Sequence, residues 1–363
     1  MSAWVRSVLA FPWLLAGCFY EVPDLPGAQA STGSGTGGVG GTGGATTSST
    51  GAGGCDADLE NSKENCGACG HDCRGGSCIV GVCQPATIAV DQPSATGLAV
   101  DDEYVYWTTQ EANGAVRRAL KLSPDVVEDV ATSQLGPFDV AVDDTHVYWN
   151  CPNDGTVTRV PKGQRSMDSI ATGESSPYAI AIDADFVYWP AAASPMGVAV
   201  RRAAKAPPHD PQDLGVDDTG VYPYAIAVDD THVWWTDRLK DAVMRIPKTG
   251  GTPETVAPLS SGARPRGIVS AEGAIWWVEQ TGRVMRWQGG RATQVATGAG
   301  NPRDIAVHGG DIYWSEHEGS AIRWAGQTEP LAEGENLPHD IATDGLAVYW
   351  TNYGGNNVRL LVR

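Results

Sequence analysis

The chain has 363 residues, and 43 acidic against 25 basic side chains give it a formal net charge of −18. So acidic a protein repels phosphate backbones, which excludes nucleic acid as an expected partner. Its hydrophobic content of 42% is enough for a sizeable core, and its length allows one large domain or two medium ones.

The first 17 residues have the pattern of an export signal. Arg6 supplies a positive charge, and an apolar run follows from Val8 to Ala16. This run is shorter than the ~20 residues that a membrane-spanning helix needs. We therefore expect residues 1–17 to be a signal peptide.

The end of this segment, Leu15-Ala16-Gly17-Cys18, resembles the lipobox of bacterial lipoproteins. The resemblance implies cleavage before Cys18 and lipid on its thiol. It predicts a protein of the bacterial cell envelope that is anchored to the membrane by its N-terminal lipid. Phe19 in place of Asp favours the outer membrane. The alternative is an ordinary secretory signal with an unrelated Cys18.

Residues 18–54 are predicted to be the lipidated cysteine and a disordered linker. Residues 29–54 consist almost wholly of Gly, Ser, Thr and Ala. Such a stretch has too little apolar surface to fold, and we expect a flexible tether.

Residues 55–83 form a predicted disulfide-rich module. Dense cysteines in an exported chain indicate disulfides, which would hold a segment too short for its own core. The six cysteines allow fifteen pairings: Cys55, Cys66, Cys69, Cys73, Cys78 and Cys83. The string from Asn65 to Cys73 resembles the NCGxCGxxC modules of secreted proteins. Zinc on the CxxC pair is an alternative. A c-type haem would need His at position 70, where this chain has Gly70.

Residues 84–363 contain one pattern seven times: an apolar triplet, a turn, and Val or Ile followed by two aromatic residues. The last aromatic residues lie 36–46 positions apart: Trp107, Trp149, Trp189, Trp235, Trp277, Trp314 and Trp350. A period near 40 with four short β-rich runs per unit is typical of a β-propeller. We expect the tryptophans to fill the space between blades.

The predicted fold is therefore all-β, a seven-bladed propeller of four-stranded blades. Its seventh unit ends after a third strand at Val358–Arg363, whereas Thr87–Val90 precedes the first unit as an unpaired strand. We expect this N-terminal strand to complete the last blade, because closing the ring removes an exposed sheet edge.

Trp234-Trp235-Thr236-Asp237 and its counterparts resemble the repeat of YWTD propellers of low-density-lipoprotein-receptor type. The Pro-x-x-Ile-Ala-Val-Asp segments resemble NHL-type propellers. These resemblances imply a propeller fold and an extracellular binding role, and they supply no ligand.

The candidate binding site follows the proline that begins each inner strand. In a propeller these positions surround the central channel, so we expect an aromatic side and a charged side at its mouth. The candidates are Phe138, Asp139, Tyr178, Tyr224, Arg266, Arg303, Asp304, His339 and Asp340. The alternative is that Arg–Asp pairs between blades satisfy one another.

A second polar set follows the second strands: Asn150, Asp237, Glu279, Glu316, His317 and Asn352. If these side chains converged on the channel they could hold Ca²⁺, although no cofactor is predicted. Lactonase-like and streptogramin-lyase-like propellers have acidic or His residues near this position. The spacing in this chain does not match those families closely enough to assign any of their functional residues to it. Phosphate-loop, zinc-protease and nucleophile-elbow motifs are absent, and no catalytic residue is predicted.

We expect a monomeric binding or scaffold protein that recognises a protein or glycan through the channel face. The alternative is a secreted lyase or lactonase with a metal at the channel mouth. A third alternative is a structural envelope component.

Overall fold

The computed structural model describes residues 57–122, 126–193, 197–217, 223–297 and 300–363, all within one compact unit, Gly51–Arg363. The predicted signal peptide, Cys18, the linker and Cys55 lie outside the described residues. In the described part of the chain, no helix is long and apolar enough to cross a membrane.

The first strands belong to the cysteine module and to the segment after it. They are the hairpin strands β1 (Cys78–Ile79) and β2 (Val82–Cys83), and the single strand β3 (Ala86–Ala89). Cys66 is bonded to Cys78 and Cys73 to Cys83, and Cys69 is also disulfide-bonded. The predicted disulfides therefore form, and the structure supplies two of the pairings that the sequence left open.

Seven antiparallel sheets of four strands follow, and each is one blade. Blades 1 to 3 contain β4 (Ala95–Val100), β5 (Tyr104–Thr109), β6 (Gly114–Leu120), β7 (Val127–Gln134), β8 (Val140–Val142), β9 (His146–Cys151), β10 (Thr156–Pro161), β11 (Asp168–Ala171), β12 (Ala181–Ile182), β13 (Phe186–Ala193), β14 (Gly197–Ala204) and β15 (Gln212–Asp217).

Blades 4 to 7 contain β16 (Pro223–Val228), β17 (His232–Asp237), β18 (Ala242–Pro247), β19 (Glu254–Pro258), β20 (Pro265–Ala271), β21 (Ala274–Glu279), β22 (Arg283–Gln288), β23 (Arg291–Thr297), β24 (Pro302–His308), β25 (Asp311–Glu316), β26 (Ala321–Trp324), β27 (Ala332–Glu333), β28 (Pro338–Thr343), β29 (Ala347–Asn352) and β30 (Asn357–Val362). The seven-bladed all-β propeller predicted from the repeat is confirmed.

The ring closes through the predicted N-terminal strand. β3 pairs antiparallel with β30, so that Ala86 lies opposite Leu360, and blade 7 has the order β28-β29-β30-β3. The first strands of successive blades contact one another around the ring, and β28 of the last blade contacts β4 of the first. These first strands therefore surround the central channel.

The core lies between blades and is built by the Tyr-Trp dipeptide of the second strand. Neighbouring side chains of a strand point to opposite faces, so each dipeptide supplies an aromatic ring to both sides of its blade. Tyr106 of blade 1 packs in one cluster with Trp149 of blade 2, and Tyr148 of blade 2 packs with Trp189 of blade 3. The seven repeat tryptophans are buried, as predicted.

Buried indole N–H groups need an acceptor, and four of them find it in the connection that precedes their blade. Trp107 and Trp149 donate to Gln92 and Gln134, and Trp189 and Trp350 donate to Glu174 and Glu335. The arginine of the third strand binds the same acceptor in blades 1, 3 and 7: Arg117, Arg201 and Arg359. The repeated Trp and Arg thus share one polar partner.

The cysteine module packs against the closing blade. One buried cluster contains residues of β3, β29 and β30 together with four bonded cysteines of the module, Cys66, Cys73, Cys78 and Cys83. Arg74 of the module donates to the hydroxyl of Tyr349 at 3.1 Å. The eighth cysteine, Cys151, is a buried free thiol in blade 2.

Candidate functional site

A bulge in the first strand turns two consecutive side chains of a blade towards the channel. In blade 6, Pro302 lies opposite Glu316 and Ile305 lies opposite Trp314, so β24 has one residue more than its partner strand. Blades 1, 4, 5 and 7 have the same register shift. Bulges re-aim side chains at the rims of closed sheets, and here the re-aimed residues are the two that follow the proline.

The channel mouth is a cavity of about 230 Å³. Eight of the nine candidate residues line it: Phe138, Asp139, Tyr178, Tyr224, Arg303, Asp304, His339 and Asp340. The ninth, Arg266, stands beside it with its guanidinium carbon 6.0 Å from the ring centroid of Tyr224. The sequence therefore located the mouth correctly, and its binding role stays a prediction.

Three carboxyl groups form the polar floor of this mouth. Each accepts a backbone N–H from the first strand of the next blade: Asp139 from Ile180 at 2.9 Å, Asp304 from Ile341 at 3.2 Å, and Asp340 from Leu98 at 2.7 Å. The alternative, in which arginines and aspartates of neighbouring blades pair with one another, is wrong for these three aspartates. Their carboxyl groups accept backbone N–H groups and not guanidinium groups.

Enclosure in the channel changes how these acids titrate. Burial raises the pKa of Asp139 to about 7 and the pKa of Asp340 well above its ordinary value, and the charge of Asp304 adds to both shifts. Burial also raises the pKa of Asp304, whose side chain is hydrogen-bonded to that of Asp340.

Three guanidinium groups form the cationic side of the mouth around Tyr224. The guanidinium carbons of Arg238, Arg266 and Arg303 lie 5.2, 6.0 and 5.6 Å from its ring centroid. They come from three blades, since Arg238 follows β17, Arg266 lies in β20 and Arg303 lies in β24. Arg266 is only 6% exposed. Burial, together with the neighbouring Arg303 and Arg238, lowers its pKa to about 10.

A neutral imidazole separates the cationic side from the aromatic side. Arg303 donates to Nε2 of His339. Because a guanidinium can only donate, the proton of this imidazole lies on Nδ1. Burial and the charge of Arg303 hold the pKa of His339 well below its ordinary value. His317 lies beside it with 6.3 Å between ring centroids, and burial and Arg303 lower the pKa of His317 to about 4.

The aromatic side consists of Phe138 and Tyr178. Their ring centroids are 5.6 Å apart in an edge-to-face arrangement, and Phe138 also meets the edge of His339 at 6.1 Å. Such contacts stabilise aromatic clusters beyond simple burial. The mouth is therefore apolar and aromatic on one side and cationic on the other.

The residue after the repeat Trp forms hydrogen bonds to the first strands that line the mouth. Thr236 donates to the carbonyl of Arg266 in the next blade at 2.6 Å and accepts the N–H of Ala225 in its own blade at 3.3 Å. Ser315 and Thr351 donate in the same way to the carbonyls of His339 and Thr96. The Thr of the repeat thus ties neighbouring first strands together at the rim.

The second polar set is not a channel-facing ligand set, and that expectation is wrong. Asn150, Asp237, Glu279, Glu316 and Asn352 are at most 1% exposed. The side chain two positions after a Trp lies on the same face of the strand as that Trp, so Glu279 and Glu316 accept the indole N–H of Trp277 and Trp314. Of this set, His317 lies beside His339 of the mouth, and Asn150 accepts the backbone N–H of Asp139.

Sequence reasoning missed Arg238, although its position carried a signal. Arg238, His317 and Tyr353 each stand three places after a repeat Trp, just beyond the end of the second strand. Tyr353 lies 6.0 Å from His339 between ring centroids. The register of the repeat therefore identifies this position, and of these three residues the predicted set contained only His317.

A metal site needs at least three His, Cys, Asp or Glu side chains whose ligand atoms lie close together. Among the described residues, one such group has its ligand atoms within 4.8 Å of one another, and it consists of Cys66, Cys73 and Cys83. All three are disulfide-bonded, and a disulfide sulfur is not the thiolate that binds zinc. The zinc alternative therefore does not fit these cysteines.

Solved structures match the chain by fold, whereas no protein-family model and no curated protein matches it. Virginiamycin B lyase from Staphylococcus aureus has a TM-score of 0.65 at 17% identity, covering 77% of this chain and 99% of that one. The WD40 propeller domain of Doa1 has a TM-score of 0.61 at 12% identity, covering 78% and 96%. The designed protein Ika8 has a TM-score of 0.57 at 14% identity, covering 76% and 98%.

These identities establish the fold alone. The chain is a seven-bladed β-propeller with a disulfide-bonded module before it.

Proposed function

We propose that this chain is a ligand-binding propeller whose channel mouth recognises a glycan or protein. The observation that carries the proposal is the divided mouth, in which Phe138 and Tyr178 face the guanidinium groups around Tyr224. Ligand sites combine apolar walls with a few convergent polar groups in a concave surface, and this mouth has both.

A binding screen tests the proposal. Labelled protein is applied to a glycan array and to immobilised envelope proteins, beside Phe138→Ala and the control Phe186→Ala. Phe186 begins the second strand of blade 3, at the end of its blade away from the mouth. We expect Phe138→Ala to weaken binding about ten-fold and Phe186→Ala to leave it unchanged. Equal binding by both variants would contradict a role for the mouth.

We also propose that the protein is held at the bacterial cell envelope by lipid on Cys18. The support is the lipobox-like segment that ends at Cys18. A stable anchor would require more than one acyl chain on this terminus. Metabolic labelling with a radioactive fatty acid and membrane fractionation test this proposal. Cys18→Ser should lose the label and leave the membrane fraction. A variant that keeps its label and its location would overturn the proposal.

The lyase or lactonase alternative receives less support. In the part of the chain that the structure describes, the mouth has no group of three His, Cys, Asp or Glu side chains with ligand atoms within 4.8 Å of one another, as a metal site would need. Metal analysis of the purified protein tests this point. A divalent ion at one equivalent that is lost in Asp340→Asn would restore the enzyme alternative.

A further inference from the structure

The cationic side of the mouth has donors without acceptors. Nε and Nη1 of Arg266, Nε of Arg238, Nε of Arg303 and Nδ1 of His339 are buried and have no hydrogen-bond partner among the described residues. Arg266 is 6% and His339 8% exposed. Buried polar groups in native proteins are nearly always paired, so the mouth lacks an acceptor that a ligand would supply.

Three arginines on third strands, whose side chains are 23–31% exposed, have carboxylate partners, although Nε of Arg359 also has no hydrogen-bond partner in the described part of the chain. Arg201, Arg283 and Arg359 are paired with the buried carboxylates of Glu174, Glu279 and Glu335. At the mouth, by contrast, Arg266 is repelled by two neighbouring arginines and is attracted by the exposed Glu318. The chain as a whole has a net charge of −18, so the positive charge at the mouth is opposite in sign to that of the whole protein.

The floor and the opposite wall narrow the class of ligand. The cavity of about 230 Å³ is smaller than the ~300–1,000 Å³ of pockets for drug-sized molecules, so it fits a single ring. The floor carboxyl groups can exchange hydrogen bonds with hydroxyl groups of a ligand, which a purely apolar body cannot do. Phe138 and Tyr178 offer an apolar wall to a C–H face.

We propose that the channel mouth binds a carboxylated sugar ring, with its carboxylate on Arg266, Arg303 and Arg238. The proposal rests on the proposed function, since it names the ligand class of the same mouth. Guanidinium groups bind carboxylates through charge-assisted hydrogen bonds. The Nδ1–H of His339 donates to an oxygen of the sugar, and the floor carboxyl groups exchange hydrogen bonds with its hydroxyls.

Calorimetric titration of the full chain with D-glucuronate and D-galacturonate tests the proposal, beside their uncharged methyl esters, D-glucose, inorganic phosphate and sulfate. The variants are Arg266→Gln and Arg303→Gln. The control is Arg286→Gln, because Arg286 also belongs to blade 5 and lies 5.4 Å from the Trp276 ring on a third strand. Near-ultraviolet circular dichroism checks that each variant is folded.

We expect a uronate to bind, its ester to bind at least about ten-fold more weakly, and both mouth variants to lose affinity while Arg286→Gln keeps it. Equal binding of acid and ester, or phosphate binding that matches the uronate, would overturn the sugar acid as the ligand. If a neutral glycan binds and Phe138→Ala abolishes its binding, the proposed function stands and this inference falls. If no variant of the mouth changes any binding, both fall.

Discussion

Two aspartates of blade 2 show how position alone decides the state of a carboxyl group. Asp139 stands at the channel mouth, where burial and the charge of Asp304 raise its pKa to about 7. Asp143 stands at the other end of β8. Burial alone would raise its pKa too, but Lys205, Tyr148 and two backbone N–H groups hold it well below the ordinary value. The pKa of the same residue type is therefore shifted in opposite directions at the two ends of one strand.

Asp139→Asn should change the pH dependence of stability. A raised native pKa means that the protonated form stabilises the fold, and that this contribution is lost as pH rises from about 4 to about 7. The free energy of unfolding of the wild type relative to that of the variant should therefore fall by about 1–2 kcal/mol between about pH 4 and about pH 7, after allowing for solvent screening. Urea unfolding at several pH values measures this difference, with the exposed Asp144→Asn as control. A difference that is constant or grows with pH would contradict the assignment.

Arg266→Met should stabilise the unliganded protein. The substitution removes a buried guanidinium with unpaired donors and keeps an apolar stem of similar length. We expect the free energy of unfolding to rise by about 1–2 kcal/mol, because replacing a buried uncompensated charge by an apolar side chain is favourable. Urea denaturation without ligand measures it, with Arg286→Met as the matched control. An Arg266→Met protein that is less stable than the control would show that Arg266 serves the fold rather than a ligand.

Neighbouring blades are tied together at the turn between first and second strands, at the end away from the mouth. The Asp of this turn accepts two backbone N–H groups and the Tyr hydroxyl of its own blade, as Asp143 does with Thr145, His146 and Tyr148. It also pairs with a Lys from the next blade. These pairs are Asp101–Lys162, Asp143–Lys205, Asp183–Lys248 and Asp344–Lys121. The Asp of the repeat thus links blades as well as closing a turn.

The pair of Lys205 and Asp143 should show a measurable coupling. The Lys205 Nζ lies 2.6 Å from Asp143 Oδ2, with the side chains 11% and 25% exposed. A double-mutant cycle of Lys205→Met and Asp143→Asn should give about 1–2 kcal/mol. The same cycle on Lys63 and Glu64, which are 3.8 Å apart and more than half exposed, should give less than about 0.5 kcal/mol. Equal couplings in thermal unfolding would mean that these links add nothing to the ring.

The repeat predicted the elements better than their polar contacts. The repeated apolar triplet and the Val-Tyr-Trp run were enough to identify the strands and the buried aromatic rings, and the proline before each first strand identified the residues at the mouth. The acceptors of the Trp indoles, such as Gln92 and Glu335, lie in connections outside the repeated motif, so their role becomes visible only once the blades are packed. Arg238 was missed because the sequence does not show which polar residue at the end of the second strand, Asp237 or Arg238, points to the mouth.

The whole molecule depends on one short strand that is distant in sequence from its partner. Ile88 and Ala89 of β3 are 4% exposed and join the cluster of blade 7. The carbonyl of Pro85 accepts a hydrogen bond from Arg359 at 3.1 Å. Without β3, β30 would be an open sheet edge, which invites pairing with other chains.

Two truncated chains test this closure. A chain that begins at residue 84 keeps β3 and loses the cysteine module, and a chain that begins at residue 91 loses both. We expect the second to melt about 10 °C or more below the first and to self-associate through its exposed edge. Melting curves and light scattering measure both effects. Equal melting temperatures with both chains monomeric would show that the ring does not need β3.

A crystal structure of the full chain grown with D-glucuronate would show whether the channel mouth binds a carboxylated sugar. We predict one sugar ring in the channel mouth, with a carboxylate oxygen within hydrogen-bond distance of Nε or Nη1 of Arg266. A mouth that holds only water at saturating sugar, or a sugar bound elsewhere on the propeller, would contradict it.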